Sequence, residues 1–147
     1  MDELIKMLDN DLRYIRHELI GDTFYIYVES ESKEAICPFC KSGSTRVHSV
    51  YERSFQDLPM QGKKVIIVLL KRKLFCGNSD CSHTTFGERY SFIREKAKKT
   101  NRLEDEIVRV ALNCSSVAAS EILKQSVVDV GKSTICSLLK KRRENFY

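Results

Sequence analysis

The chain has no tryptophan, only three histidines and no apolar run near the ~18–20 residues that a membrane span needs. An apolar fraction of 42% without Trp supports a modest core at most. Met1-Asp2-Glu3 opens an acidic, amphipathic segment rather than a basic stretch followed by an apolar one, so no secretory leader is read there. The expected place is the cytoplasm, where cysteines stay reduced, Cys114 and Cys136 among them. A framework of disulfides is therefore disfavoured.

What the chain does have is paired cysteines. Cys37-Pro38-Phe39-Cys40 is spaced C-x2-C, Cys76 and Cys81 are spaced C-x4-C, and the stretch between them reads as one β-hairpin. Each pair suits a tight turn with both sulfurs on one side, and the hairpin brings the turns together. This is the pattern of a tetrahedral all-cysteine site for one structural Zn2+, with Cys37, Cys40, Cys76 and Cys81 as ligands. Sulfur fills all four positions, which leaves none for a water or a substrate. His48 and His83 are weaker ligand candidates, because four sulfurs already complete the shell.

Charge is unevenly spread within the net +5. Residues 1–35 are acidic, while residues 36–95 and 96–147 are basic. Charge alone does not identify nucleic acid as the partner, since a basic tract is often a solvated face.

The patterning predicts an α+β chain: an N-terminal β-hairpin and zinc-ribbon unit over residues 1–90, a basic linker over 91–100, and an all-α module of three helices over 101–147. A short helix near residues 2–9 precedes strands over 12–20 and 23–28 around the turn signal Gly21-Asp22. In the ribbon, strands over 45–55 and 64–75 flank Asp57-Leu58-Pro59-Met60-Gln61-Gly62, read as the turn. The run Val65-Ile66-Ile67-Val68-Leu69-Leu70 calls for cover on both faces, and the N-terminal hairpin is expected to supply it. Farther on, Asn101 with Glu104 suggests a capping box and Ser116 a second cap, and the last helix starts at Lys132 with Ile135, Leu138, Leu139 and part of Arg142 inward. Such a trio describes a helix-turn-helix, with the last helix presenting Lys132, Ser133, Ser137, Lys140 and Lys141 to DNA. Lys96, Lys98, Lys99 and Arg102 are expected along the phosphate backbone.

The ordered set of Cys37-Pro38-x-Cys40, Val47-His48-Ser49-x-Tyr51-x-Arg53, Asp57-Leu58-Pro59-x-x-Gly62, Phe75-Cys76-x-Asn78-x-x-Cys81 and Phe86-x-Glu88 resembles the N-terminal zinc-binding part of the ISL-three family of insertion-sequence transposases. Thr100-x-Arg102-Leu103, Ala118-Ala119 and Ser133-Thr134-Ile135 are similar to the helix-turn-helix that follows it in that family. The resemblance implies a nucleoid-associated protein that binds double-stranded DNA at the terminal inverted repeats of a mobile element, and it leaves a homodimer open. It departs from the family at Gly131, where a capping serine is usual, and in ending at Tyr147 without the acidic RNase H-like catalytic domain. The expectation is a binding protein that does not cut DNA. The competing reading is a zinc-ribbon module for protein interaction or oligomerisation without specific DNA binding.

Overall fold

Gly21 takes a positive φ of 59° and closes the first hairpin, between β1 (Leu12–Ile20) and β2 (Thr23–Ser30), behind the short helix α1 (Asp2–Leu8). This computed structural model describes residues 1–146, with side chains through Arg142. The architecture is α+β, as the patterning predicts. A strand-rich N-terminal region holds β3 (Ala35–Ile36), β4 (Gly43–Ser44), β5 (Val47–Met60), β6 (Lys63–Phe75) and β7 (Thr85–Gly87) after the first hairpin. The helices α2 (Asn101–Ala111), α3 (Ser116–Ser126) and α4 (Lys132–Phe146) follow.

The main sheet runs β1-β2-β6-β5, with β7 also on β6. The first hairpin therefore lies beside the ribbon instead of over it, since β2 pairs with β6 in parallel, Ile26 against Ile67 and Val28 against Leu69. The expected cover is corrected accordingly. Val65, Ile67 and Leu69 point to a core closed by Ile5 of α1, by Phe55 and by Phe92. Val68, on the other face, is 5% exposed between its register partners Tyr27 and Ser54. The apolar run marks a strand hemmed by neighbours on both edges.

The ribbon turn is shorter than expected. Gln61 and Gly62, at φ 52° and 74°, form a two-residue connection whose twist suits a hairpin. Asp57, Leu58 and Pro59 belong to β5, where the register slips between Asp57 and Met60. β5 is an edge strand, so Pro59 removes no hydrogen bond from a neighbour on the far side.

Residues 91–100, expected as a linker, form a strap along the sheet. The Gln56 N–H donates to Lys98 O at 3.0 Å, and the Thr100 N–H donates to Gln56 O at 2.9 Å. Phe92, Ala97 and Thr100 are buried. Thr100, and not Asn101, is the N-cap of α2, accepting the Leu103 N–H. Glu104 is drawn away from the capping box by Arg94, which donates to it from Nε at 2.7 Å and Nη2 at 2.6 Å. Ser115 takes the capping place expected of Ser116, one residue earlier. The three helices close on their own core, which includes Leu103, Ile107, Ala119, Leu123 and Ile135.

Candidate functional site

The first cysteine pair sits on a turn between β3 and β4. The Cys37 N–H donates to Ser42 O and the Lys41 N–H to Cys37 O, both at 2.9 Å, and Lys41 adopts φ 65° to complete the reversal. The second pair follows β6. The Cys76 N–H donates to Thr84 O at 2.8 Å and the Cys81 N–H to Asn78 O at 3.1 Å, while Asn78 Oδ1 accepts the Asp80 N–H at 3.0 Å. Two bonds tie the turns together: Ser44 Oγ donates to Phe75 O at 2.5 Å, and the Phe75 N–H to Arg46 O at 2.9 Å. Ala35, Leu74 and Phe86 supply a small apolar backing.

These turns bring the four sulfurs of Cys37, Cys40, Cys76 and Cys81 within 4.8 Å of one another. Cys37 and Cys81 are 3.9 Å apart, and Cys40 and Cys76 are 3.4 Å apart. Zinc–sulfur bonds of about 2.3 Å give a tetrahedral edge of about 3.8 Å, whereas a disulfide needs about 2.05 Å. The donor set and its spacing fit one structural zinc ion. The sulfurs also show why a cation belongs there. Hydrogen bonds from the Ser42 side chain and backbone lower the Cys40 thiol to about 6. At Cys76 the Asn78 backbone pulls down, but desolvation and the neighbouring sulfurs prevail and push the thiol up to about 12. Four adjacent thiolates are not tolerated together until a divalent ion offsets their repulsion.

Neither candidate histidine joins the cluster. His83 stacks on Phe39 with ring centroids 3.5 Å apart and planes 8° apart, and His48 meets the Phe75 ring edge-on.

The residues expected at DNA are divided by the fold. On α4, Lys132, Ser133, Ser137, Lys140 and Lys141 are exposed, while Ile135 and Leu138 face the helical core. Lys96 and Lys98 are exposed on the strap, and Lys99 is half-buried there. Arg102 is different: its guanidinium grips the buried carboxylate of Asp57, Nε donating at 2.8 Å and Nη2 completing the fork. Asp57 also accepts from Thr100 Oγ1 at 2.8 Å. Arg102 is thus paired within the fold at the joint between sheet and α2, while its side chain stays 42% exposed. The sequence signal was available: Asp57 lies in phase with the inward Phe55, an unusual place for an acid unless it has partners.

Residues 33–81 match the family described as the zinc-finger of transposase IS204/IS1001/IS1096/IS1165. The matched segment contains all four cysteines and ends on the last of them. No curated protein and no solved structure matches the chain. Among the described residues no helix is long and apolar enough to cross a membrane.

Proposed function

We propose that the chain binds double-stranded DNA, with α2–α4 acting as a helix-turn-helix held in place by a zinc-clamped sheet, and that its target is the terminal inverted repeats of a mobile element. The observation that carries this reading is the stripe Lys132, Ser133, Ser137, Lys140 and Lys141, which is exposed along α4 opposite the buried Ile135 and Leu138. Hydroxyls near the start of the helix suit base edges, and the lysines suit phosphates. The approach of α4 to α3 is set by Ser120 Oγ, which donates to Val130 O at 2.6 Å, and by the buried Val128 and Val130 of the connection. The zinc-finger match supports a transposase-type context, from which the choice of target follows. Lys96 and Lys98, exposed on the strap, extend the basic surface toward the phosphate backbone, and half-buried Lys99 lies between them and α2.

Replacing Lys140 and Lys141 together by Glu is expected to weaken duplex binding at least about tenfold at moderate salt and to flatten the salt dependence, because each lost phosphate contact removes about 0.9 from the log–log slope. Gel-shift titration with element-end duplexes at two salt concentrations measures both. Unchanged affinity with an intact circular dichroism spectrum would refute the reading.

A second reading has its own support. Leu112, Val117 and Ile122 are 73%, 52% and 49% exposed on the helical module, as an oligomerisation face would be. Sedimentation of the DNA-free protein distinguishes it: a stable oligomer that Val117→Ser and Ile122→Ser dissolve, together with no duplex binding, favours this second reading.

A further inference from the structure

The face of the sheet that buries Val65, Ile67 and Leu69 continues past its apolar cover. By register and alternation Tyr51, Arg53 and Lys71 lie on it, with Tyr51 directly opposite Lys71. Beside them, between the first zinc turn and the start of the strap, is a cleft of about 300 Å³ lined by Phe39, Lys71, Arg89 and Tyr90, among others.

The charges of this cleft do not cancel from within. Glu88 is taken by Arg72, from Nε at 2.7 Å and Nη2 at 2.8 Å, and by the Tyr90 hydroxyl at 3.0 Å. Arg94 is taken by Glu104. Arg89 meets Glu95 at 3.4 Å, but both side chains are more than half exposed, so that pair is screened. Lys71 and Arg53 have no ion pair among the described residues. The Lys71 stem lies over Gly87, where an added Cβ would come 3.9 Å from Cε, so it runs down into the cleft. Desolvation, then the Arg53 charge, lowers its pKa, and these outweigh the opposing pull of Glu95, with Arg89 adding a smaller push in the same direction. An ammonium in such a place is relieved by an incoming anion.

The other wall is aromatic. Phe39 is 51% exposed and lines the cleft, with its ring already backed by His83. A stacked aromatic open to solvent beside uncompensated cations is what a nucleotide with an exposed base face would meet. Bases within a duplex keep their faces covered. Tyr51, 39% exposed, and Lys73 continue the basic and aromatic path along the sheet, which suits a strand better than a free mononucleotide.

We propose that this cleft holds one unpaired nucleotide of a DNA strand, its phosphate among Lys71, Arg53 and Arg89 and its base against Phe39. The partner class rests on the DNA-binding reading above, but the residues differ from those of α4, so each idea fails separately. The test is fluorescence anisotropy of the full zinc-loaded chain with a labelled oligothymidylate, an oligouridylate of equal length and a blunt duplex hairpin. Lys71→Gln and Phe39→Leu are each expected to weaken oligothymidylate binding at least about fivefold while sparing the hairpin. Lys71→Gln also lowers the single-strand salt slope by about 0.7. Zinc content of both variants checks that the turn carrying Phe39 is intact. Oligothymidylate binding that is absent in the wild type, or unchanged in Lys71→Gln, overturns the proposal, as does a preference for oligouridylate. Oligothymidylate binding that survives while the hairpin fails to bind overturns the α4 reading and leaves the cleft standing.

Discussion

Stripping the metal from this protein is expected to unfold its ribbon end. The apolar residues around the four cysteines are few: Ala35, Cys37, Leu74 and Phe86 are the buried members of that cluster. β3 and β4 have two residues each and β7 has three, too short to persist unaided. Structural zinc contributes on the order of 10–16 kcal/mol in finger peptides, comparable to the whole stability of an ordinary domain. The ion therefore decides whether residues 35–46 and 75–87 are ordered. A strong chelator, or Cys76→Ser, is expected to abolish amide protection at Cys37, Phe75, Cys76 and Cys81, while Val65, Ile67 and Leu69 retain part of theirs through the separate core with α1 and Phe92. Acidification acts in the same direction, because protonating the sulfurs releases the ion. Cobalt added to the stripped protein should restore protection and show the absorption of a tetrahedral thiolate site. Metal-free protein that keeps full protection at those amides would contradict the zinc assignment.

The loss should reach beyond the ribbon tip. Arg72 and Glu88 bridge β6 to the residue after β7, and Arg72 Nη2 also donates to Ser32 O at 2.8 Å. Asp9 accepts from Ser91 Oγ at 2.7 Å, which ties the end of α1 to the strap. The zinc end, the N-terminal hairpin and the strap thus share polar contacts along residues 88–91, so disorder at one end loosens the path that leads to α2.

The four zinc ligands were legible because paired spacing is local, and so was the first hairpin, announced by Gly21-Asp22 between two β-prone runs. The parallel pairing of β2 with β6 left no local mark: strands distant in sequence pair through register, and the run from Val65 to Leu70 tells only that neighbours exist. The cap of α2 moved by one residue for a tertiary reason. Thr100 and Asn101 are both capping types, but Thr100 is also held by Asp57 and Gln56, and Arg94 claims the glutamate that would have completed the box on Asn101. Asp57-Leu58-Pro59 has turn chemistry, yet β5 carries these residues through because the edge position tolerates Pro59 and the carboxylate has partners waiting.

Asp57→Ala is expected to cost about 3 kcal/mol, toward the lower end for breaking a buried pair, because Arg102 keeps a path to water with its side chain 42% exposed. The carboxylate is 2% exposed and serves three donor groups: Thr100 Oγ1, Arg102 Nε and Arg102 Nη2. Its removal orphans the hydroxyl of a fully buried threonine that also caps α2, and it leaves a guanidinium without its anion. Asp57→Asn, which retains one acceptor and the shape, should cost less, about 1–3 kcal/mol. Urea unfolding monitored by circular dichroism measures both. Arg102→Ala then distinguishes a structural arginine from a DNA contact. A structural Arg102 predicts lower stability, strong coupling to Asp57→Ala in a double-mutant cycle and an unchanged salt slope for duplex binding, whereas a phosphate contact predicts a slope reduced by about 0.9. A reduced slope with additive stabilities would return Arg102 to the DNA interface, and the joint between sheet and helices would then depend on Thr100 and the strap alone.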